Sequence, residues 1–107
     1  MLYSRTICFL YFGDLDHEGI RLFFRAREAN PGLEIRPFAA LYILMLRLAE
    51  GLALPKSLDK RGILAPVAEF ASMLGLCGPD RLTEILTQGR YIPQEIVNYQ
   101  VVSGILS

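Results

Sequence analysis

Cysteine is scarce in this chain, neither sign of charge is in excess, and no hydrophobic run is long. The two cysteines, Cys8 and Cys77, have no second cysteine and no histidine at ligand spacing. Neither fits a spaced metal-ligand motif, and both read as reduced core thiols of a cytosolic protein. Eleven basic residues balance eleven acidic ones and the pI is about 6.6, which excludes a polybasic nucleic-acid or membrane-surface binder. A local basic patch survives that exclusion. Nine of the eleven basic residues are Arg, the type suited to bidentate phosphate contacts. The longest uncharged stretch in the middle of the chain, Pro37 to Leu46, is about half of a bilayer span. The opening MLYSRTICFLYFGDLD meets two aspartates where a secretory signal would have a small-residue cleavage site. These absences predict a cytoplasmic protein with no membrane segment.

With 107 residues, 52% of them hydrophobic and 21% charged, the chain is sized for one domain with a real core. It shows no internal repeat and no low-complexity segment. Residues 6–12, TICFLYF, are β-branched, aromatic and apolar nearly throughout, the pattern of a strand buried on both faces. Asp16 is a good N-cap for a helix from His17 to about Ala29, which Asn30-Pro31-Gly32 stops. In that helix Ile20, Phe23, Phe24 and Arg27 share one face, with Phe23 and Phe24 as core anchors; Arg21, Arg25 and Glu28 share another. A second strand over residues 33–39 carries Pro37 at its end or on an edge. Strand, helix, strand with short loops predicts two adjacent parallel strands.

The remainder reads as helices over about 41–50, 65–74 and 79–88, followed by a last one starting at Pro93. The Tyr42, Met45, Leu46 and Leu48 stripe is core. Residues 52–62 form a loop with the only dense basic cluster, Lys56, Lys60 and Arg61, which reads as solvated. The fold class is therefore α/β, a small parallel sheet followed by several helices. Two strands make too small a sheet to stand alone, so its exposed edges and apolar surface call for partner strands, most simply a second copy in a homodimer.

The chemistry concentrates at the end of the first strand, in Tyr11-Phe-Gly-Asp-Leu-Asp-His-Glu-Gly19. Ligands of parallel α/β folds bind at the carboxyl ends of strands. Two carboxylates there, Asp14 and Asp16, can aim hard oxygen ligands at one Mg²⁺. Asp16 divides its oxygens between the helix and the site, whereas Asp14 has no helix to cap and is the better ligand. Gly13 lets the chain turn sharply and Gly19 admits a close approach to the first helical turn. The plain alternative is that Asp14 closes a turn and Asp16 caps the helix.

The string YFGDLDHEGIRLF resembles the Asp-x-Asp segment of Toprim domains, the metal-dependent module of topoisomerases, primases and certain nucleases. Within that superfamily it is similar to the topoisomerase VI A-subunit branch. It is closer still to the C-terminal domain of the Wadjet anti-plasmid nuclease subunit, where hydrophobic-Phe/Trp-Gly-Asp-hydrophobic-Asp-x-x-Gly-hydrophobic recurs. Pro93-Gln94-Glu95 is similar to a Gln-Glu pair near the end of that family. The likeness is tight over residues 9–24 and extends to about 46. It implies a partial Toprim-like, Rossmannoid domain in which Asp14 and Asp16 hold Mg²⁺ beside a DNA phosphodiester. It also implies a role in plasmid or phage defence or a topoisomerase-like complex, with DNA and further subunits as partners.

One departure is important. Toprim sites also use a glutamate from a strand upstream of the Asp-x-Asp strand, and only about five residues precede that strand here. The expectation is a single Toprim-like C-terminal portion, residues 1–107, of a longer protein. Accessory roles fall to Gly13, His17, Gly19 and Glu95, and DNA contact to Arg21 and Arg25. The duller readings are an exposed His17, a first-turn Glu18 complementing the helix dipole, and a Glu95 tied to the fold. Two rivals remain. A haloacid-dehalogenase-like phosphatase also places Asp-x-Asp after a buried strand, but continues with Gly-Thr where this chain has His-Glu-Gly. A Toprim-like piece without its glutamate could instead serve as a non-catalytic dimerisation or docking module.

Overall fold

The computed structural model describes residues 8–57, 65–76 and 80–97. Strand β1 (Cys8–Tyr11) leads through a loop into helix α1 (His17–Ala29), which returns the chain to strand β2 (Glu34–Pro37). Helices α2 (Ala39–Leu48), α3 (Val67–Met73) and α4 (Arg81–Thr87) follow. The two strands pair in parallel, with Cys8 opposite Glu34 and Tyr11 opposite Pro37. Phe38 N–H donates to the Tyr11 carbonyl at 2.8 Å, closing the ladder just after the proline that has no N–H to give. The fold is mixed α/β, with a two-stranded parallel sheet and several helices.

Local chemistry explains most of the boundaries. Asp16, in extended conformation, caps α1 with its carboxylate, and Asp80 caps α4 by accepting from Thr83 N–H at 2.7 Å. Past the ends of α2, α3 and α4 stand Gly51, Gly75 and Gly89, all with positive φ, where a side chain would be strained. The core joins α1, α2, α3, α4 and the segment around Ile92, with Phe23, Tyr42, Met45, Phe70, Leu82 and Ile85 fully enclosed. Phe23 and Tyr42 both meet Phe70 edge-on, at centroid distances of 5.4 and 5.2 Å.

Several expectations need correction. The first strand is not buried on both faces over its described part. Cys8, Phe9 and Leu10 are exposed, the last two at 47% and 54%. Successive residues point to opposite faces, so neither face is covered along this stretch. Only Tyr11 of β1 packs against the core, and no described strand pairs with its outer edge. Cys8 is accordingly a surface thiol and not a core one; Cys77 lies outside the described residues. Phe24 is only half-buried, and Arg27, placed on the core face by spacing, lies exposed with its guanidinium 5.6 Å from the Phe23 ring centroid. The helix expected at 41–50 starts at Ala39. Residues 6–7, Lys60 and Arg61 lie outside the described residues, as does the last helix beyond Val97. Among the described residues no helix is long and apolar enough to cross a membrane.

Candidate functional site at the end of β1

The loop from Phe12 to Asp16 leaves the carboxyl end of β1 and enters α1. The α1 cap is tight: Asp16 Oδ1 accepts the Gly19 N–H at 2.6 Å. Gly19 is buried beneath this loop. A Cβ at Gly19 would stand 2.3 Å from the Asp14 carbonyl oxygen and 3.0 Å from Asp16 Oδ1. The close approach expected at Gly19 is therefore made by the loop's own backbone, and glycine is required there to admit it. Gly13 differs from its expectation. Among the described residues only Gly51, Gly75 and Gly89 have positive φ, so Gly13 supplies no left-handed turn. What it supplies is space: a Cβ would lie 3.3 Å from the Tyr11 hydroxyl.

Asp14 is the side chain that the tertiary structure recasts. Its Oδ1 accepts the backbone N–H of Gln94 at 2.8 Å, across 80 positions of sequence. Next to it Leu15 and Ile92, both fully buried, exchange two backbone hydrogen bonds of 2.8 and 3.1 Å in an isolated antiparallel bridge. The segment containing Pro93-Gln94-Glu95 thus lies alongside the acidic loop. Asp14 has no helix of its own to cap, yet it satisfies a backbone donor at the start of this segment. Asp14 thus has one carboxylate oxygen committed to this segment, as Asp16 has one committed to Gly19. Glu95 is exposed, and among the described residues no three His, Cys, Asp or Glu side chains gather to hold a metal ion. Glu95 is therefore adjacent in the chain to the contact without completing a ligand set.

Two tyrosine hydroxyls flank the loop. Tyr11 donates to the Gly19 carbonyl at 3.1 Å, and Tyr42, from the middle of α2, accepts the Gly13 N–H at 2.9 Å. Burial, then the carboxylates of Asp16, Asp14 and Glu18, raises the Tyr11 pKa above the usual phenol value. Burial raises that of Tyr42 further. The Gly13 N–H opposes that rise, while Tyr11, Asp14 and Asp16 add to it. Both phenols are neutral near pH 7, and both feel the two aspartates. Sequence reasoning treated Tyr42 as packing alone. A phenol inside an otherwise apolar helix stripe was the available signal, since a buried hydroxyl must find a partner.

In comparisons with protein-family models, curated proteins and solved structures, the chain matches none.

The accessory residues divide. His17 is half-buried rather than exposed, and its Nδ1 accepts the Ala65 N–H at 3.3 Å, tying the start of α1 to the residues before α3. That nitrogen is engaged by the backbone. Arg21 pairs with Glu18 at 2.9 Å, one turn back on α1, and its side chain is only 14% exposed. Arg25 is exposed on the same helix. Lys56 lies exposed in an isolated antiparallel bridge to Arg90.

Proposed function

We propose that this chain is the Asp-x-Asp portion of a Toprim-like module, handling or cutting DNA strands with Mg²⁺ inside a larger defence or topoisomerase-like complex. The observation that carries the reading is the placement of Asp14 and Asp16 together at the carboxyl end of a parallel strand, with the Gln94 segment docked on Asp14. The donor set fits the ion. Mg²⁺ keeps several waters and is commonly held by one or two carboxylates, so a third acidic side chain is not demanded. Asp14 and Asp16 would be its holders. When bound, the ion supplies positive charge to a phosphodiester oxygen and to the leaving group.

The chain's own residues supply position. The Gly19 N–H and the Gln94 N–H each hold one oxygen of a carboxylate. The neutral phenols of Tyr11 and Tyr42 line the loop without adding negative charge. Arg25, exposed on α1, is the guanidinium offered to DNA phosphates, with Arg21 beside it on the same helix and paired to Glu18 at 2.9 Å. The exposed Phe9 and Leu10 on β1 support a homodimer or docking onto a further subunit.

The test is a melting curve with and without Mg²⁺ for the wild type and for the double variant Asp14→Asn, Asp16→Asn. Saturating Mg²⁺ at about 100 times its Kd should stabilise the wild type by about 2.7 kcal/mol, and the double variant not at all. No Mg²⁺ response in the wild type overturns the metal reading. A second reading, a non-catalytic docking module, draws on one specific observation: both carboxylates already accept a backbone N–H. It expects metal indifference together with loss of stability when the carboxylates are removed.

A further inference from the structure

We propose that Tyr42 is a positioning residue for the acidic loop, setting the affinity of Asp14 and Asp16 for a divalent cation through its hydroxyl. The inference rests on the reading of that pair as a Mg²⁺ site. Tyr42 is 1% exposed, and its ring is held between Phe12 and Phe70, at centroid distances of 5.1 and 5.2 Å. Rings locked in this way leave the hydroxyl little freedom. That hydroxyl accepts the N–H of Gly13, the residue immediately before Asp14. The peptide from which Asp14 departs is thereby fixed from α2, 29 positions away in sequence.

The opposite side of the loop is fixed too. Leu15 is bridged to Ile92, and Asp14 Oδ1 receives the Gln94 N–H. The two anchorages straddle Asp14, and the Tyr42 one holds the backbone while leaving the carboxylate itself untouched. Packing alone does not explain a phenol here. A phenylalanine would fill the same volume, and a buried hydroxyl is unfavourable unless it is hydrogen-bonded. The bond it makes serves the acidic loop. Groups that orient the ligands of a metal without touching it commonly change its affinity 10- to 100-fold.

Tyr42→Phe keeps the ring and removes the acceptor, whereas Ile85→Val trims the buried core outside the ring contacts of Tyr42 and keeps the hydroxyl. Affinity for Mg²⁺, added as its chloride to the 107-residue chain, is read from the shifts of the Gly13 and Gly19 amide NMR signals. Tyr42→Phe should bind about tenfold more weakly or worse, and Ile85→Val as tightly as the wild type. Equal affinity in Tyr42→Phe and wild type overturns the inference, as does equal weakening in both variants. If Tyr42→Phe does not fold, the wild-type Gly13 amide decides: its hydrogen exchange should slow on Mg²⁺ binding, and an unchanged rate overturns the inference. A wild type with no Mg²⁺-dependent shift at all sinks the metal reading itself and this inference with it. A wild type that binds while Tyr42→Phe binds equally well sinks only the role of Tyr42.

Discussion

Removing the carboxylate of Asp14 should destabilise the protein even in metal-free buffer, and the size of the loss should depend on what replaces it. In the folded chain Asp14 Oδ1 accepts the Gln94 N–H at 2.8 Å, beside the buried Leu15–Ile92 bridge. A hydrogen bond to a charged group contributes about 1.5–3 kcal/mol, and the half-buried position of Asp14 argues for the lower end. Asp14→Ala should therefore cost about 1.5 kcal/mol, because the Gln94 N–H is left without its acceptor. At about 4 °C or more per kcal/mol for a domain of this size, the melting temperature should fall by about 6 °C. Asp14→Asn retains a carbonyl oxygen able to accept the same N–H, so it should lose about half as much. Two repelling carboxylates predict the reverse, a stabilisation on neutralising either one. Circular dichroism during urea and thermal unfolding in chelator-treated buffer measures the difference. Equal stability of Asp14→Ala and Asp14→Asn, or a gain in either, would refute the reasoning.

Gly19→Ala should be among the most damaging single substitutions, losing 2 kcal/mol or more (about the range for backbone strain and overpacking), since its Cβ would sit 2.3 Å from the Asp14 carbonyl oxygen. A melting temperature within error of wild type would show that the loop can move aside. Asp16→Ala should cost about 1 kcal/mol, whereas Asp16→Asn should be close to neutral, because Asn caps a helix about as well as Asp; helicity and urea midpoints report both. Tyr11 and Tyr42 should ionise later than an ordinary phenol in an alkaline absorbance titration. The folded chain holds those protons more tightly than the unfolded one. The contribution is fully present below pH 10, the ordinary phenol value, and is lost as pH rises past it. Stability that stays level above pH 10 would contradict the burial of both hydroxyls.

Much of the fold follows from short-range chemistry and was legible in the sequence. The span His17–Ala29 follows from an Asp cap in front and Asn-Pro-Gly behind, both of which act within one turn of the helix. Parallel pairing of β1 and β2 follows from a strand, a helix and a strand joined by short loops. The helix stops at Gly51, Gly75 and Gly89 were equally visible, because only the left-handed conformation there demands glycine. The exposure of β1 was not legible. An apolar run reports what a strand can bury, whereas the number of layers around it depends on how many strands and helices assemble.

At the candidate site the division is sharper. The sequence by itself determined that two carboxylates stand at the end of a strand and that Asp16 caps α1, since both facts depend on neighbours within three residues. It also marked Gly19 as a place of close approach, though not the Asp14 carbonyl that approaches. Only the tertiary structure decided that Asp14 holds Gln94, that His17 receives the Ala65 N–H, and that Tyr42 fastens Gly13. Those three contacts join residues 80, 48 and 29 positions apart. No spacing rule reaches so far, because such pairs form only when the packing of α1, α2 and the Ile92 segment around Phe23, Tyr42 and Phe70 brings a donor and an acceptor together.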